Sequence, residues 1–181
     1  MIMVLKPQDI YVLLKLVAAG HEPWSYSRLG LDLGMSASEV HGAVKRALRA
    51  GLAVQGDNAV RPNVRTLAEF LLHGIQYVFV PERGELTRGT PTAHAAPVML
   101  EKIMADGEPP PVWPHVEGDV RGIGFSPLHK SAPVAARHDA AFYDLLALVD
   151  VVRAGQARER AIAGKELQRR LKSYGNAKPK H

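Results

Sequence analysis

Ser36 and Glu39 stand three residues apart, just ahead of an apolar repeat at Val40, Val44 and Ala47. A serine hydroxyl and a glutamate carboxylate at that spacing satisfy the orphan amides of a helix start reciprocally. A helix opening at Ser36 is therefore the most strongly specified element of the chain. Glycines bound it. Gly34 offers a tight turn before it and Gly51 closes it as the residue after the cap, where positive φ is cheap for glycine. Val40, Val44, Ala47 and Leu48 form one face. Ser38, His41, Gly42, Lys45 and Arg49 recur at helical spacing and share the opposite one.

The flanking sequence sets this helix in a larger unit. Pro7 suits a first helical position, and Ile10, Leu13, Leu14 and Val17 give that helix an apolar face that ends at Gly20. Ser25 is placed to cap a second helix running through Leu33, with Leu29 and Leu33 inward. After Gly51, Leu52 to Gln55 reads as a strand, Gly56, Asp57 and Asn58 supply turn chemistry, and Ala59 to Arg61 returns as a second strand. Pro62 ends the hairpin. A fourth helix follows from about Asn63, with Leu67, Phe70 and Leu71 on its apolar side.

The rest of the chain has a different texture. Residues 76–134 hold 9 of the 13 prolines. Tyr77 to Val80 reads as a strand apolar on both faces, and Val120 to Phe125 as another. Gly89 to His94 and the run Pro109-Pro110-Pro111 read as irregular loops. Residues 135–174 return to helical texture. Asp139 is a candidate cap, and Phe142, Leu145, Leu146, Val149 and Val152 form an apolar stripe. Gly155 marks a break, and a helix rich in Arg158, Arg160, Lys165, Arg169, Arg170 and Lys172 follows. The expected division is 1–75, 76–134, 135–174 and a fraying tail at 175–181.

Charge follows the same division. The chain has 181 residues and a net charge of +5. Residues 1–75 carry a net +2, residues 76–134 a net −2 and residues 135–181 a net +5. The basic excess sits at the two ends, which favours polyanionic partners. Hydrophobic residues make up 46%, ample for a core, and the longest apolar runs, such as Leu145 to Val149, fall far short of the ~18–20 residues of a bilayer span. Met1 to Lys6 shows no charged segment followed by an apolar one, so a secretory signal is not expected. The absence of cysteine excludes disulfides, thiolate metal sites and cysteine nucleophiles, and fits a cytoplasmic protein.

The order helix, helix, glycine turn, capped helix, hairpin, helix resembles the winged helix-turn-helix superfamily, in particular regulators of the MarR-like type. The residues that carry the resemblance are Leu33-Gly34-Met35-Ser36-Ala37-Ser38-Glu39-Val40 and Val44-Lys45-Arg46-Ala47-Leu48-Arg49-Ala50-Gly51-Leu52-Ala53. It covers about 70 residues of the chain. It implies a recognition helix whose small first residues, Ser36, Ala37, Ser38 and Gly42, let the backbone approach the major groove. Ser36, Ser38, His41, Lys45, Arg46 and Arg49 would then reach phosphates or base edges. Arg61 at the base of the wing, and Tyr26 and Arg28 early in the second helix, would touch the adjacent backbone. The expected fold class is α+β: an N-terminal winged helix-turn-helix, a Pro/Gly-rich segment with a small sheet, and C-terminal helices.

The expected function is sequence-specific binding of double-stranded DNA by a dimeric transcriptional regulator, a repressor. Phe142, Leu145, Leu146, Val149 and Arg158 are the candidates for a dimer or partner interface, and a core-packing helix followed by a solvated one is the plainer reading of the same stretch. The layout also resembles antitoxin-type regulators of bacterial abortive-infection and toxin–antitoxin operons, which implies a cognate partner protein such as a toxin. Two plainer readings stay open: Lys45, Arg46 and Arg49 also fit a solvated helix face, and winged helices also scaffold proteins without touching DNA. No enzyme is expected, since the chain has no P-loop, no G-x-S-x-G elbow and no H-E-x-x-H. His94, His115, His129 and His138 lack the spacing of a helical or finger site, so neither metal nor cofactor is expected.

Overall fold

The computed structural model describes residues 2–178. The fold is α+β. Helices α1 (Pro7–Ala19), α2 (Tyr26–Leu33) and α3 (Ala37–Arg49) lead into a hairpin of β1 (Ala53–Gln55) and β2 (Val60–Pro62). Helix α4 (Val64–His73) and the short α5 (Ile75–Val78) follow. A small closed sheet holds β3 (Arg83–Pro91), β4 (Pro111–Pro114) and β5 (Val120–Phe125), with α6 (Pro97–Leu100) between the first two. Helices α7 (Ala132–Arg137), α8 (Ala140–Ala154) and α9 (Ala157–Asn176) complete the described chain.

Helix α8 is the axis of the core. It is apolar nearly all round, as a helix enclosed on every side must be. Phe142, Leu145, Leu146, Leu148, Val149, Val151 and Val152 are all buried. One side meets α1, where the Tyr11 ring lies 5.2 Å from that of Phe142 and Lys15 Nζ donates to Asp139 Oδ2 at 2.8 Å. Another meets α9 through Ala163, Leu167 and Leu171, with Arg170 bonded to Asp144 at 3.0 Å. The small sheet meets α8 through Trp113 and Thr92, which both donate to Asp150. A single hydrophobic core thus runs from residue 10 to residue 174.

This burial corrects one expectation. Phe142, Leu145, Leu146 and Val149 are no more than 3% exposed and face their own chain, so they are not a surface for a second copy or a partner. Of that group only Arg158, on α9, is exposed.

The middle segment is also more regular than expected. The run Tyr77 to Val80 forms no strand. Its first half belongs to α5, which buries Ile75 and leaves Tyr77 and Val78 exposed. The real strand, β3, includes Arg83-Gly84-Glu85-Leu86-Thr87-Arg88, a stretch without the apolar alternation that marks a half-buried strand. It bends so that its start pairs antiparallel with β5 and its end with β4, while β4 and β5 run parallel. Gly89 permits the bend, because a Cβ there would run into the Trp113 carbonyl. Helix α9 continues to Asn176, one residue past the start of the expected tail.

Gly34 shows why the turn before α3 needs glycine. Its φ is +67°, and an added Cβ would lie 2.7 Å from Ser131 Oγ. Gly34→Ala is expected to cost about 1–2 kcal/mol for the left-handed backbone alone. Ser131 Cβ would lie 2.8 Å away as well, so urea unfolding of Gly34→Ala beside Gly34→Ala/Ser131→Gly, with Ser131→Gly as the reference, separates the backbone cost from the steric one. An unchanged midpoint in the single variant would mean the turn relaxes freely.

Candidate nucleic-acid interface

Helix α3 begins as its sequence dictates. Ser36 Oγ accepts from the Glu39 amide at 3.1 Å, and Glu39 Oε2 accepts from the Ser36 amide at 2.7 Å. These bonds hold the Glu39 carboxyl below the usual carboxylate range. Val40, Ala43, Val44 and Ala47 are buried, and Leu48 is half-buried. At the other end the Leu52 amide returns to the Ala47 carbonyl at 3.0 Å, which starts the hairpin directly. Gly56 N–H donates to Ala59 O at 3.0 Å across its turn.

The face left outside carries Ser36, Ser38, His41, Lys45 and Arg49, all exposed. Tyr26, half-buried at the start of α2, meets the His41 ring edge-on at 5.1 Å and is itself met by Trp24 at 5.2 Å. That aromatic chain fixes the imidazole on the surface of α3. Arg28 is exposed two residues further along α2, paired with Asp32 at 3.4 Å. Eight of the nine sequence-derived positions therefore lie on α2, α3 or the helix cap, and the ninth, Arg61, on the hairpin.

Two of those nine behave differently from the expectation. Arg46 is not part of the exposed basic face. Its Nε donates to both carboxylate oxygens of Asp9, at 3.1 and 2.9 Å, and its Nη2 donates to Oδ1 at 2.7 Å. Asp9 is fully buried and also accepts from the Lys6 amide at 2.8 Å. The guanidinium is thus a strut between α3 and the start of α1, and the Asp9 bonds raise its pKa further. Arg61 folds back over the hairpin turn, so that a Cβ on Gly56 would lie 2.7 Å from its Nε. It lines a cleft of about 430 Å³ with Trp24, His21 and Tyr174.

One contributor comes from a distant stretch that local pattern does not reveal. The loop before α7 abuts the turn between α2 and α3, where Ser131 Oγ donates to Gly34 O at 3.3 Å. His129 stacks on Tyr11 at 5.0 Å, and burial lowers its pKa. Lys130, exposed in the same loop, acts electrostatically on Glu39. The surface around the α3 start is therefore built from two stretches of chain about 95 residues apart. Among the described residues no group of three or more His, Asp or Glu is placed to hold a metal ion. No helix among them is long and apolar enough to cross a membrane.

Comparison of the chain with models of known protein families, with curated proteins and with solved structures found no match.

Proposed function

We propose that residues 1–75 act as a winged helix-turn-helix and that the protein is a sequence-specific, double-stranded DNA-binding transcriptional regulator, a repressor working as a dimer. The observation that carries this reading is the exposed row Ser38, His41, Lys45 and Arg49 on a helix whose other side is locked into the core. A rigid helix with short polar residues first and cations later matches the demands of a major groove. Ser38 and His41 would meet base edges, and Lys45 and Arg49 phosphate oxygens. Arg28 on α2 and the β1–β2 hairpin would flank the same stretch of backbone. Repression would follow from occupying the promoter, with no chemistry of the protein's own.

The test is binding to a labelled fragment of the gene's own upstream region, with excess nonspecific competitor, at two salt concentrations. Retention that survives competitor and weakens with salt supports the reading. Lys45→Ala and Arg49→Ala are expected to weaken binding about tenfold or more each and to lower the salt slope by about one each. Their thermal unfolding should match the wild type, since neither side chain is buried. If both variants bind as well as the wild type, the α3 face is not the DNA surface.

A further inference from the structure

Arg88 and Arg121 are directly opposite one another in the antiparallel pairing of β3 with β5, and both are exposed. Residues in that register have Cβ atoms about 5 Å apart, and like charges directly opposite one another are destabilising. Among the described residues neither arginine makes an ion pair, although most of the other arginines of the small sheet and the C-terminal helices have an acid, a carbonyl or a ring to hold them. Two residues along each strand, on the same face, Leu86 pairs with Ile123. Leu86 is 46% exposed. The outer face of this ribbon thus sets two cations beside two aliphatic side chains, and Leu86, Arg88, Arg121 and Asp119 border a shallow hollow of about 350 Å³.

The complementary surface lies in the same chain. Residues 100–108, Leu-Glu-Lys-Ile-Met-Ala-Asp-Gly-Glu, hold three acids against one lysine. Met104 is 93% exposed and Leu100 57%. Glu101 and Glu108 are exposed and make no ion pair among the described residues, while Asp106 Oδ1 accepts from the Glu108 amide at 3.1 Å and shapes the turn. The segment runs directly into β4, where Pro110 O accepts from the Ile123 amide at 2.8 Å. The end of the acidic loop therefore lies beside β5, and among the described residues no ion pair joins the loop's acids to Arg88 or Arg121. A two-fold axis between them lets each loop cross to the other copy's ribbon, which is the self-complementary arrangement a closed dimer requires.

We propose that the protein forms a two-fold dimer in which the 100–108 loop of each copy docks on the β3–β5 ribbon of the other. Glu101 and Glu108 meet Arg88 and Arg121, and Met104 and Leu100 cover Leu86 and Ile123. The contact relieves the Arg88–Arg121 repulsion and covers apolar groups that the single chain leaves in water. It also supplies the second copy that the proposed regulator needs on a two-fold operator. It does not depend on DNA, so its failure and the failure of the DNA reading are separable.

The experiment is sedimentation velocity and light scattering of the full chain without DNA, over the micromolar range. The wild type is expected to run as a dimer. Arg88→Glu/Arg121→Glu and, separately, Glu101→Arg/Glu108→Arg are expected to raise the dissociation constant at least about tenfold and run as monomers, with circular dichroism unchanged. An equimolar mixture of the two variants restores opposite charges at both contacts and is expected to give a heterodimer. A monomeric wild type overturns the proposal, as does a charge-reversed variant that stays dimeric. A mixture of two folded variants that remains monomeric overturns it too. So does a monomer whose ribbon holds an acidic segment of a different protein or a nucleic acid instead.

Discussion

Asp150→Ala is expected to lower the free energy of unfolding by about 3–5 kcal/mol, the usual cost of removing one member of a buried ion pair. Asp150 Oδ1 accepts from Arg153 Nη1 at 2.8 Å, and Oδ2 accepts from Thr92 Oγ1 and Trp113 Nε1, both at 2.7 Å. The Arg153 side chain is only 3% exposed, so without the carboxylate its charge would be left in the core. Its bonds to Phe79 O and Ser126 O, at 2.9 and 3.1 Å, would persist and satisfy hydrogens, but carbonyls do not neutralise a cation. Trp113 and Thr92 would each lose their acceptor, at about 1–3 kcal/mol per orphaned group where nothing replaces it. Asp150→Asn keeps an acceptor and is expected to cost less than alanine. Asp150→Leu/Arg153→Met removes both charges and is expected to cost less than the sum of the single changes. Urea unfolding at constant slope measures each. Because this carboxylate joins the end of β3 and β4 to α8, and fixes the Arg153 side chain that holds the loops after α5 and β5, the loss should appear as earlier global unfolding. A cost below about 1 kcal/mol for Asp150→Ala would mean the site readily admits water or rearranges.

How much of this was legible in the sequence depends on whether the determining contact is local. The start of α3, the turn at Gly34 and the hairpin after Gly51 are set by residues within a few positions of one another, and there the pattern and the structure agree. Asp139 capping Phe142 at 3.0 Å is of the same kind. Where the deciding partner is distant, local pattern misleads. Arg46 sits among basic residues and reads as one of them, yet its partner is 37 positions away. The α8 stripe reads as one apolar face, but the intervening Leu148 and Val151 are apolar as well, and that all-round character was the available sign of a core helix. Strand β3 carries its pairing information in β4 and β5, and its own polar sequence names neither. For the candidate site, the exposed row on α3 was readable from helical spacing. The inward turn of Arg61 and the approach of Lys130 were not, because both depend on how separate stretches pack.

Arg46→Ala is expected to destabilise the protein by about 3–5 kcal/mol, far more than Lys45→Ala next to it. The difference lies in Asp9, which is fully buried and would keep only the Lys6 amide once the guanidinium is gone. Arg46→Lys should recover only part of the loss, since one ammonium cannot reproduce the three bonds of the fork. Asp9→Ala costs the pair and the α1 cap together. Asp9→Leu/Arg46→Met leaves no orphaned charge and should be milder than Arg46→Ala. The same variants separate fold from recognition. If DNA binding runs through the exposed face of α3, Lys45→Ala loses affinity at full folded fraction. Arg46→Ala loses it only in proportion to unfolded protein, and regains it when the temperature is lowered towards maximal stability. An Arg46→Ala protein that unfolds with the wild type would overturn the strut. One that is fully folded and still fails to bind would return Arg46 to the list of DNA contacts.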